Sequence, residues 1–599
     1  MIWVVACYSI EIKDRTCHNR VYTLEVGLEL NVKRRYLVLV LGIVIMFSGT
    51  LMAASVQSGF GSIAVTEVDF QAADGSMIHS TLQRPNYATD TDPLPGVVVI
   101  HGSLQNKEWL MAFGNELARR GFVVLTIDAN GHGNSEAGSG SGAAALDYIA
   151  ALDYVDETQI GLIGHSMGGG ISWSAMEDSS VSVRALVLVG SGFSASAPYT
   201  PNTLLATGNF DSLSSYPHNL TLLEPYFNVS GIIPDTTYGD FASNTARRAI
   251  FPSTNHLFET IDHVIVSESV EWMKNSLKGG VEDEHWISST NLLYPLWLVG
   301  GLIGLLGAIL TIFPLIAILL STPLFSDLKG TPSEESATTK SFVRNGIVYG
   351  LIGAITFFPF LLIGTVLSYI IPFPQYYGIP IMSWMLGSGL VAVLFLFIIL
   401  RRRGSATNLT LRGLLGTKSQ KPILSIVKSL VLASIVFAWM YVLTLVVDLG
   451  LALDLRSFLP GLHDLTLAQA SFVPLYFVVF LIYFLVEGAW LTGPMLPEGS
   501  GTWTKVQLNW TVKAVLIKTF PYLILMAFEF VGGFLASAPL VPGIIGYSWL
   551  FFYAFAPWFA ICTVITMFAY RVTGNRWLGA MVNAILCAWL LASMLAFRG

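Results

Sequence analysis

A chain of 599 residues with 53% hydrophobic and only 12% charged residues lies outside the range of soluble globular proteins, so much of it must sit in lipid. The formal net charge of -7 comes without a basic face beyond short loop clusters, which excludes any argument for nucleic acid as a partner. Four cysteines are too few for a disulfide framework, and none falls between Cys17 and Cys562.

Residues 1–35 are a mixed, weakly patterned tail to which no function is assigned. Lys33-Arg34-Arg35 closes it. The apolar segment 36–56 is long enough, at about 1.5 Å per residue, to cross most of a hydrocarbon core. It is either an uncleaved anchor or a signal peptide, because Ala53-Ala54-Ser55 resembles a cleavage site. Both readings leave the basic residues in the cytoplasm and export the α/β segment on the far side of the span.

From 60 to 280 the composition is that of a water-soluble α/β domain. Val65 to Phe70 and Met77 to Gln83, joined across Asp74-Gly75, read as an antiparallel hairpin. Short Val/Ile/Leu runs then recur between helical stretches: Gly96 to Ile100, Phe122 to Ile127, Ile160 to Ile163, Ala185 to Val189, Thr203 to Ala206 and Ala249 to Pro252. Continuous apolar runs of that length predict strands covered on both faces, hence a mostly parallel sheet between helices.

Within this domain Ile160 to Ile163 stops at Gly164-His165-Ser166-Met167-Gly168 and a helix-compatible segment follows. Strand, tight turn and helix around G-x-S-x-G is the pattern that pushes a serine Oγ clear of a sheet edge, with glycines where side chains would collide. Upstream stand Val97-Val98-Val99-Ile100-His101-Gly102-Ser103 and Asp128-Ala129-Asn130-Gly131-His132-Gly133-Asn134-Ser135. Three such motifs in this order resemble the α/β-hydrolase family, over little more than a third of the chain. The resemblance implies Ser166 as nucleophile, backbone N–H groups of Met167 and Ser103 as oxyanion donors, and a chain order of serine, carboxylate, histidine.

An acyl-transfer serine needs a base to take its proton and an acid to orient that base. Pro201 to Asp211 reads as strand, turn, acid, which puts Asp211 beyond a strand end, with Asp235 and Asp240 in reserve. Arg248 to Phe251 reads as the last strand and Pro252 to His256 as the loop carrying the base, before a final helix over Val264 to Met273. His256 fits that plan better than His263, which stands at the helix start. His101, His132 and His165 flank the motifs in structural or loop-shaping roles. Only about a dozen residues separate Gly190 from Asn202, so an inserted lid is missing there and the site is expected to be open on that side. The longer insertion, from Asp211 to Arg247, carries Tyr216, Tyr226, Phe227 and Tyr238, which serve either an apolar pocket or core packing.

Residues 281–599 hold eight further apolar runs of spanning length, roughly 294–319, 345–371, 379–400, 423–449, 470–491, 514–536, 543–570 and 577–597. Runs this long are helices, since open sheets cannot cross lipid, and Pro314, Pro359, Pro474 and Pro557 are tolerated inside them. Alternate loops are basic. One set carries Lys329, Lys340, Arg344, Arg401, Arg402, Arg403, Arg412, Lys418, Lys421, Lys505, Lys513, Arg571 and Arg576, while the other carries only Arg456. The bias places the α/β domain outside the cell membrane with nine spans in all. Glu529, deep in its run, and Glu487 and Asp448, nearer the ends, are candidates for function or helix packing.

These features favour a membrane-bound serine hydrolase acting on an ester, thioester or amide, with the bilayer and a small-molecule or lipid acyl substrate as partners. No cofactor or metal is implied. A membrane acyltransferase, or a transporter or receptor with a non-catalytic hydrolase-like domain, stands as the alternative. Asn219-Leu-Thr and Asn228-Val-Ser are glycosylation sequons on the exported side.

Overall fold

The computed structural model describes residues 32–194, 200–330, 339–402, 421–456, 460–495 and 503–598. Cys7, Cys17, Arg403, Arg412 and Lys418 lie outside the described residues, and so does nearly all of the tail.

The first described element is helix α1 (Val32–Gln57), which runs into the sheet domain. There β1 (Ile63–Gln71) and β2 (Met77–Pro85) form the expected hairpin, in which Gly75 takes a φ of 88° that suits glycine. β2 pairs antiparallel with β4 (Val123–Ile127), and β3 (Leu94–Ile100), β5 (Val155–His165), β6 (Val183–Val189), β7 (Asn202–Ala206) and β8 (Arg247–Ile250) complete a parallel set. The order across the sheet is β1-β2-β4-β3-β5-β6-β7-β8. Alternation along each strand feeds two cores. Val98, Ile100, Leu162, Leu186 and Leu188 pack with helices α3 (Ser141–Ala150) and α4 (Met167–Asp178). Val97, Val99, Ile163, Val187 and Val189 pack with α2 (Met111–Ala118) and α5 (His263–Leu277) on the other face.

Most strand boundaries shift by one or two residues from the sequence reading, and two of the differences have a plain physical cause. β5 starts at Val155 rather than Ile160, because a bulge at Ile160/Gly161 separates a polar first half carrying Asp156 and Glu157 from the apolar run. β8 ends at Ile250, short of Phe251 and Pro252; a proline cannot donate to a sheet ladder.

The helical region comprises α6 (Tyr294–Leu319), α7 (Thr339–Leu367), α8 (Gly378–Arg402), α9 (Pro422–Leu451), α10 (Leu467–Leu491), α11 (Trp503–Ala536), α12 (Ile544–Trp549), α13 (Phe551–Thr573) and α14 (Trp577–Met594). With α12 and α13 taken together, nine helical segments among the described residues are long and apolar enough to cross a membrane. α1 belongs to this bundle. A Cβ on Gly49 would lie 2.6 Å from Gly300 O, and one on Gly300 would lie 2.8 Å from Ala53 N, so α1 and α6 touch backbone to backbone. Inside the bundle Glu487 pairs with Lys518 at 2.8 Å and accepts from Tyr349 Oη at 2.9 Å, and the free thiols of Cys562 and Cys587 stand 3.6 Å apart.

The sheet domain docks on one end of the bundle. Arg456 reaches Glu108 at 3.0 Å, Asn134 donates to Asp464 at 3.0 Å, Gln469 donates to Gly133 O at 2.6 Å, and Phe597 N donates to Gly131 O at 2.8 Å. At the opposite end Arg35 donates to Ala317 O at 3.0 Å, Lys428 meets Asp327 at 2.8 Å, and Arg576 donates to Thr492 at 2.7 Å. Arg35, Lys428 and Arg576 thus lie at the end away from the sheet.

Candidate active site

Ser166 stands between β5 and α4, near the middle of the sheet, with φ 52° and ψ -115°. A non-glycine residue held there stores about 1–3 kcal/mol of backbone strain. Glycine flanks it for a steric reason. A Cβ on Gly164 would lie 2.6 Å from Gly169 N, and one on Gly168 would lie 2.7 Å from His101 O, so the turn closes only without side chains.

Two other strand ends deliver the remaining groups. Asp211 follows β7 and is fully buried, and its Oδ1 accepts from Leu213 N at 2.8 Å. His256 follows β8 and is 4% exposed. Its Nε2 is 2.9 Å from Ser166 Oγ and its Nδ1 is 2.9 Å from Asp211 Oδ2. The reserves lie elsewhere: Asp240 caps a local turn through Ser243, Asp235 pairs its backbone with Ala249, and His263 is exposed at the start of α5.

The donor side is arranged around the same serine. Met167 opens α4, so its backbone N–H is among those a helix leaves without an internal partner. Ser103 lines the cavity in front of Ser166, next to Leu104 with a φ of 61°. Gln105 supports this loop, accepting from Gly102 N at 2.9 Å while its Oε1 sits 2.9 Å from His165 Nδ1.

The flanking histidines build the frame. His101 Nδ1 is 2.7 Å from Gly102 O and its Nε2 accepts from Ala129 N at 3.0 Å, an arrangement for a neutral ring; burial first, then the His132 charge, bring it down to about 3. His165 Nε2 is 3.1 Å from His256 O and so braces the base loop; burial, then the His256 charge, hold it well below the ordinary histidine range. Among the described residues, His165, His256 and Glu259 alone have spacing that could hold a metal. An ion there would take His256 Nδ1 away from Asp211.

The sequence does not foretell what covers the site. No lid interrupts 190–202, yet the site is not open. Ser103, Leu104, Trp109, Ser166, His256 and Leu257 face Pro460, Tyr547, Leu550, Phe551, Tyr553, Ala554 and Met594 across a cavity. The roof is the docked end of the bundle, a contact between residues too distant in the chain for local patterns to show. The aromatics of the 211–247 insertion do not line this cavity. Phe227 is core, Tyr226 stacks on Phe193, and Tyr216 and Tyr226 border a separate groove with Gly190 and Leu213.

The roof also grips the loops beneath it. Glu529 of α11 accepts from Asn255 Nδ2 through both oxygens at 3.2 Å, and Tyr553 Oη donates to it at 3.2 Å. Phe210 meets Phe530 edge-on at 5.6 Å, Gly543 N donates to Ser212 O at 2.6 Å, and the Tyr547 ring lies 5.7 Å from that of His256.

The family model described as serine aminopeptidase, S33, matches residues 91–218. The chain carries an α/β-hydrolase domain. A bis(hydroxyethyl) terephthalate hydrolase of Streptomyces coelicolor is 26% identical over 232 residues, 38% of this chain and 70% of that protein. Lipase 1 of a Moraxella species is 32% identical over 114 residues, 18% of this chain and 35% of the lipase. Among solved structures, a bacterial heroin esterase aligns over 36% of this chain and 85% of its own, with 17% identity and a TM-score of 0.28. An esterase of Pyrococcus furiosus covers 37% and 96%, with 14% identity and a TM-score of 0.29. The similarity to these proteins supports a hydrolase; the residues matched by the family model end before the helical region at Tyr294.

Proposed function

We propose that this protein is a membrane-bound serine hydrolase that cleaves esters with an apolar acyl group through Ser166, His256 and Asp211. The observation that carries the reading is the unbroken path from Ser166 Oγ through both ring nitrogens of His256 to the buried Asp211. His256 Nε2 takes the serine proton as Oγ attacks the acyl carbonyl, and Asp211 holds the ring and faces the imidazolium that forms. Backbone N–H groups of Met167 and Ser103 receive the oxyanion. The proton then passes to the leaving alcohol, and a water, activated by the same ring, releases the acid and restores Ser166.

The apolar roof supports the substrate class. Leu550, Phe551, Ala554 and Met594 offer a long acyl chain the surface it would lose on leaving a bilayer, a setting that suits a lipid or lipid-linked ester. The two curated relatives, one a hydrolase of a terephthalate ester and the other a lipase, agree with ester chemistry. Arg35, Lys428 and Arg576 lie at the end of the bundle away from the hydrolase domain, and with the charge bias of the sequence this supports an extracytoplasmic site.

The test compares full-length wild type with Ser166→Ala for labelling by a fluorophosphonate and for turnover of p-nitrophenyl esters. Loss of label, and of turnover by about three to four orders of magnitude, is expected. Equal signals from both would abandon the reading.

A further inference from the structure

Asp211 is not the only carboxyl addressed to the base. Glu259, one helical turn beyond His256, has no solvent exposure. Its Oε1 accepts from Gly208 N at 2.6 Å, at the start of the loop that carries Asp211. Its Oε2 stands 3.5 Å from His256 Nδ1 and 3.5 Å from His165 Nε2, and no donor satisfies it. The mechanism above does not use this group, yet a buried carboxyl set against Asp211 and two imidazoles is costly enough to need a reason.

We propose that Glu259 is a second acid of the site, sharing the Nδ1 face of His256 with Asp211 and becoming its ionised partner when Asp211 cannot be. Burial, then the Asp211 charge, hold Glu259 well above the ordinary carboxylate range, so in the resting protein it is the neutral member of the pair. Two buried carboxyls around one ring cannot both ionise cheaply; removing one charge releases the proton of the other. With Asp211 replaced by alanine, Glu259 loses its proton to solvent, Oε2 accepts from Nδ1–H, and His256 keeps both its tautomer and a counter-charge for the imidazolium. In the wild type Glu259 is a positioning residue that ties the acid loop at Gly208 to the base loop.

The inference rests on Ser166 being the nucleophile, so the test separates the two. Full-length Ser166→Ala, Asp211→Ala, Glu259→Gln and the double variant Asp211→Ala/Glu259→Gln are compared for kcat and KM on p-nitrophenyl butyrate, with thermal unfolding as a check on folding. A triad that loses its only acid falls by about 10⁴ in kcat. Here Asp211→Ala is expected to fall only about 10- to 100-fold, Glu259→Gln alone less than about fivefold, and the double variant at least 50-fold below Asp211→Ala, with KM little changed. A simple structural role for Glu259 would give the same factor in both backgrounds. The acid limb of the pH–rate profile should also move in Asp211→Ala, where Glu259 must now ionise, and that Glu259-dependent limb should be absent in the double variant. Asp211→Val, which has no amide to impose the wrong tautomer, carries the same test if the alanine variant does not fold. An inactive Ser166→Ala together with an Asp211→Ala as poor as the double variant would overturn the second acid and leave the serine reading standing; an active Ser166→Ala would overturn both.

Discussion

Glu529, deep in a bundle helix, accepts two hydrogen bonds from Asn255, the residue immediately before the base His256. Asn255 in turn caps the next turn of chain, its Oδ1 accepting from Leu257 N and Phe258 N at 3.2 and 3.0 Å. The bundle thereby holds the loop that carries His256.

Breaking that link should therefore be felt at the serine. Glu529→Leu is expected to lower kcat on p-nitrophenyl esters by about tenfold or more, and Asn255→Ala by a similar factor, with the double variant no worse than either single because both remove one interaction. Glu529→Gln, which keeps an acceptor, should lose less. Rates that simply multiply in the double variant would show that the two residues act separately.

The roof predicts acyl-chain selectivity. Leu550→Trp fills part of the cavity and should cost turnover of long-chain p-nitrophenyl esters about tenfold, while acetyl ester turnover changes by less than about threefold, on the scale of a few methylenes of buried surface. An equal loss at every chain length would remove the cavity from the substrate path.

Arg456, the lone cation of its loop set, bridges Asp454 at 2.6 Å and Glu108 at 3.0 Å in a fully desolvated setting. Arg456→Ala takes the counter-charge from buried Asp454 and leaves Glu108 only Lys107 at 3.7 Å, for a cost of about 3–5 kcal/mol. The check is thermal unfolding of the detergent-solubilised chain, where a fall of several degrees is expected; an unchanged midpoint would mean that the hydrolase domain and bundle do not depend on this clamp.

Stability should depend on pH through His79. Burial alone would lower it, but the hydrogen bond and charge of Glu67 outweigh this and raise it to about 9, against an opposing Lys107 and with Asp128 and Asp69 adding negative charge nearby. For Glu67, burial works upward, and the His79 hydrogen bond and Lys107 charge bring it down to about 2. A raised histidine stabilises the fold fully below its unfolded value of 6.5 and ceases to do so as pH passes 9. A lowered glutamate stabilises above its unfolded value of 4.5 and ceases to do so as pH falls through 2. Melting midpoints measured from pH 6 to 9.5 should thus fall more steeply for wild type than for His79→Gln; parallel curves would exclude the mechanism.

Much of this protein was legible residue by residue. The strands of the sheet, the turn around Ser166, the loops ending in Asp211 and His256 and the nine apolar segments all announce themselves through short-range patterns. A strand buried on both faces reads as a Val/Ile run, a strained turn demands glycine at Gly164 and Gly168, and a helix in lipid needs about twenty apolar residues. The side chains of Ser166, His256 and Asp211 meet because three strand ends open on one edge of a parallel sheet. What only tertiary structure decided is the lid and the second carboxyl. Asn255 and Glu529 are 274 positions apart, and no periodicity links a soluble loop to a carboxylate on a spanning helix. Glu259 reads in sequence as one more polar residue after a histidine. Its place beside Asp211 follows from the packing of two loops against each other, where burial allows only one of two neighbouring carboxyls to carry charge.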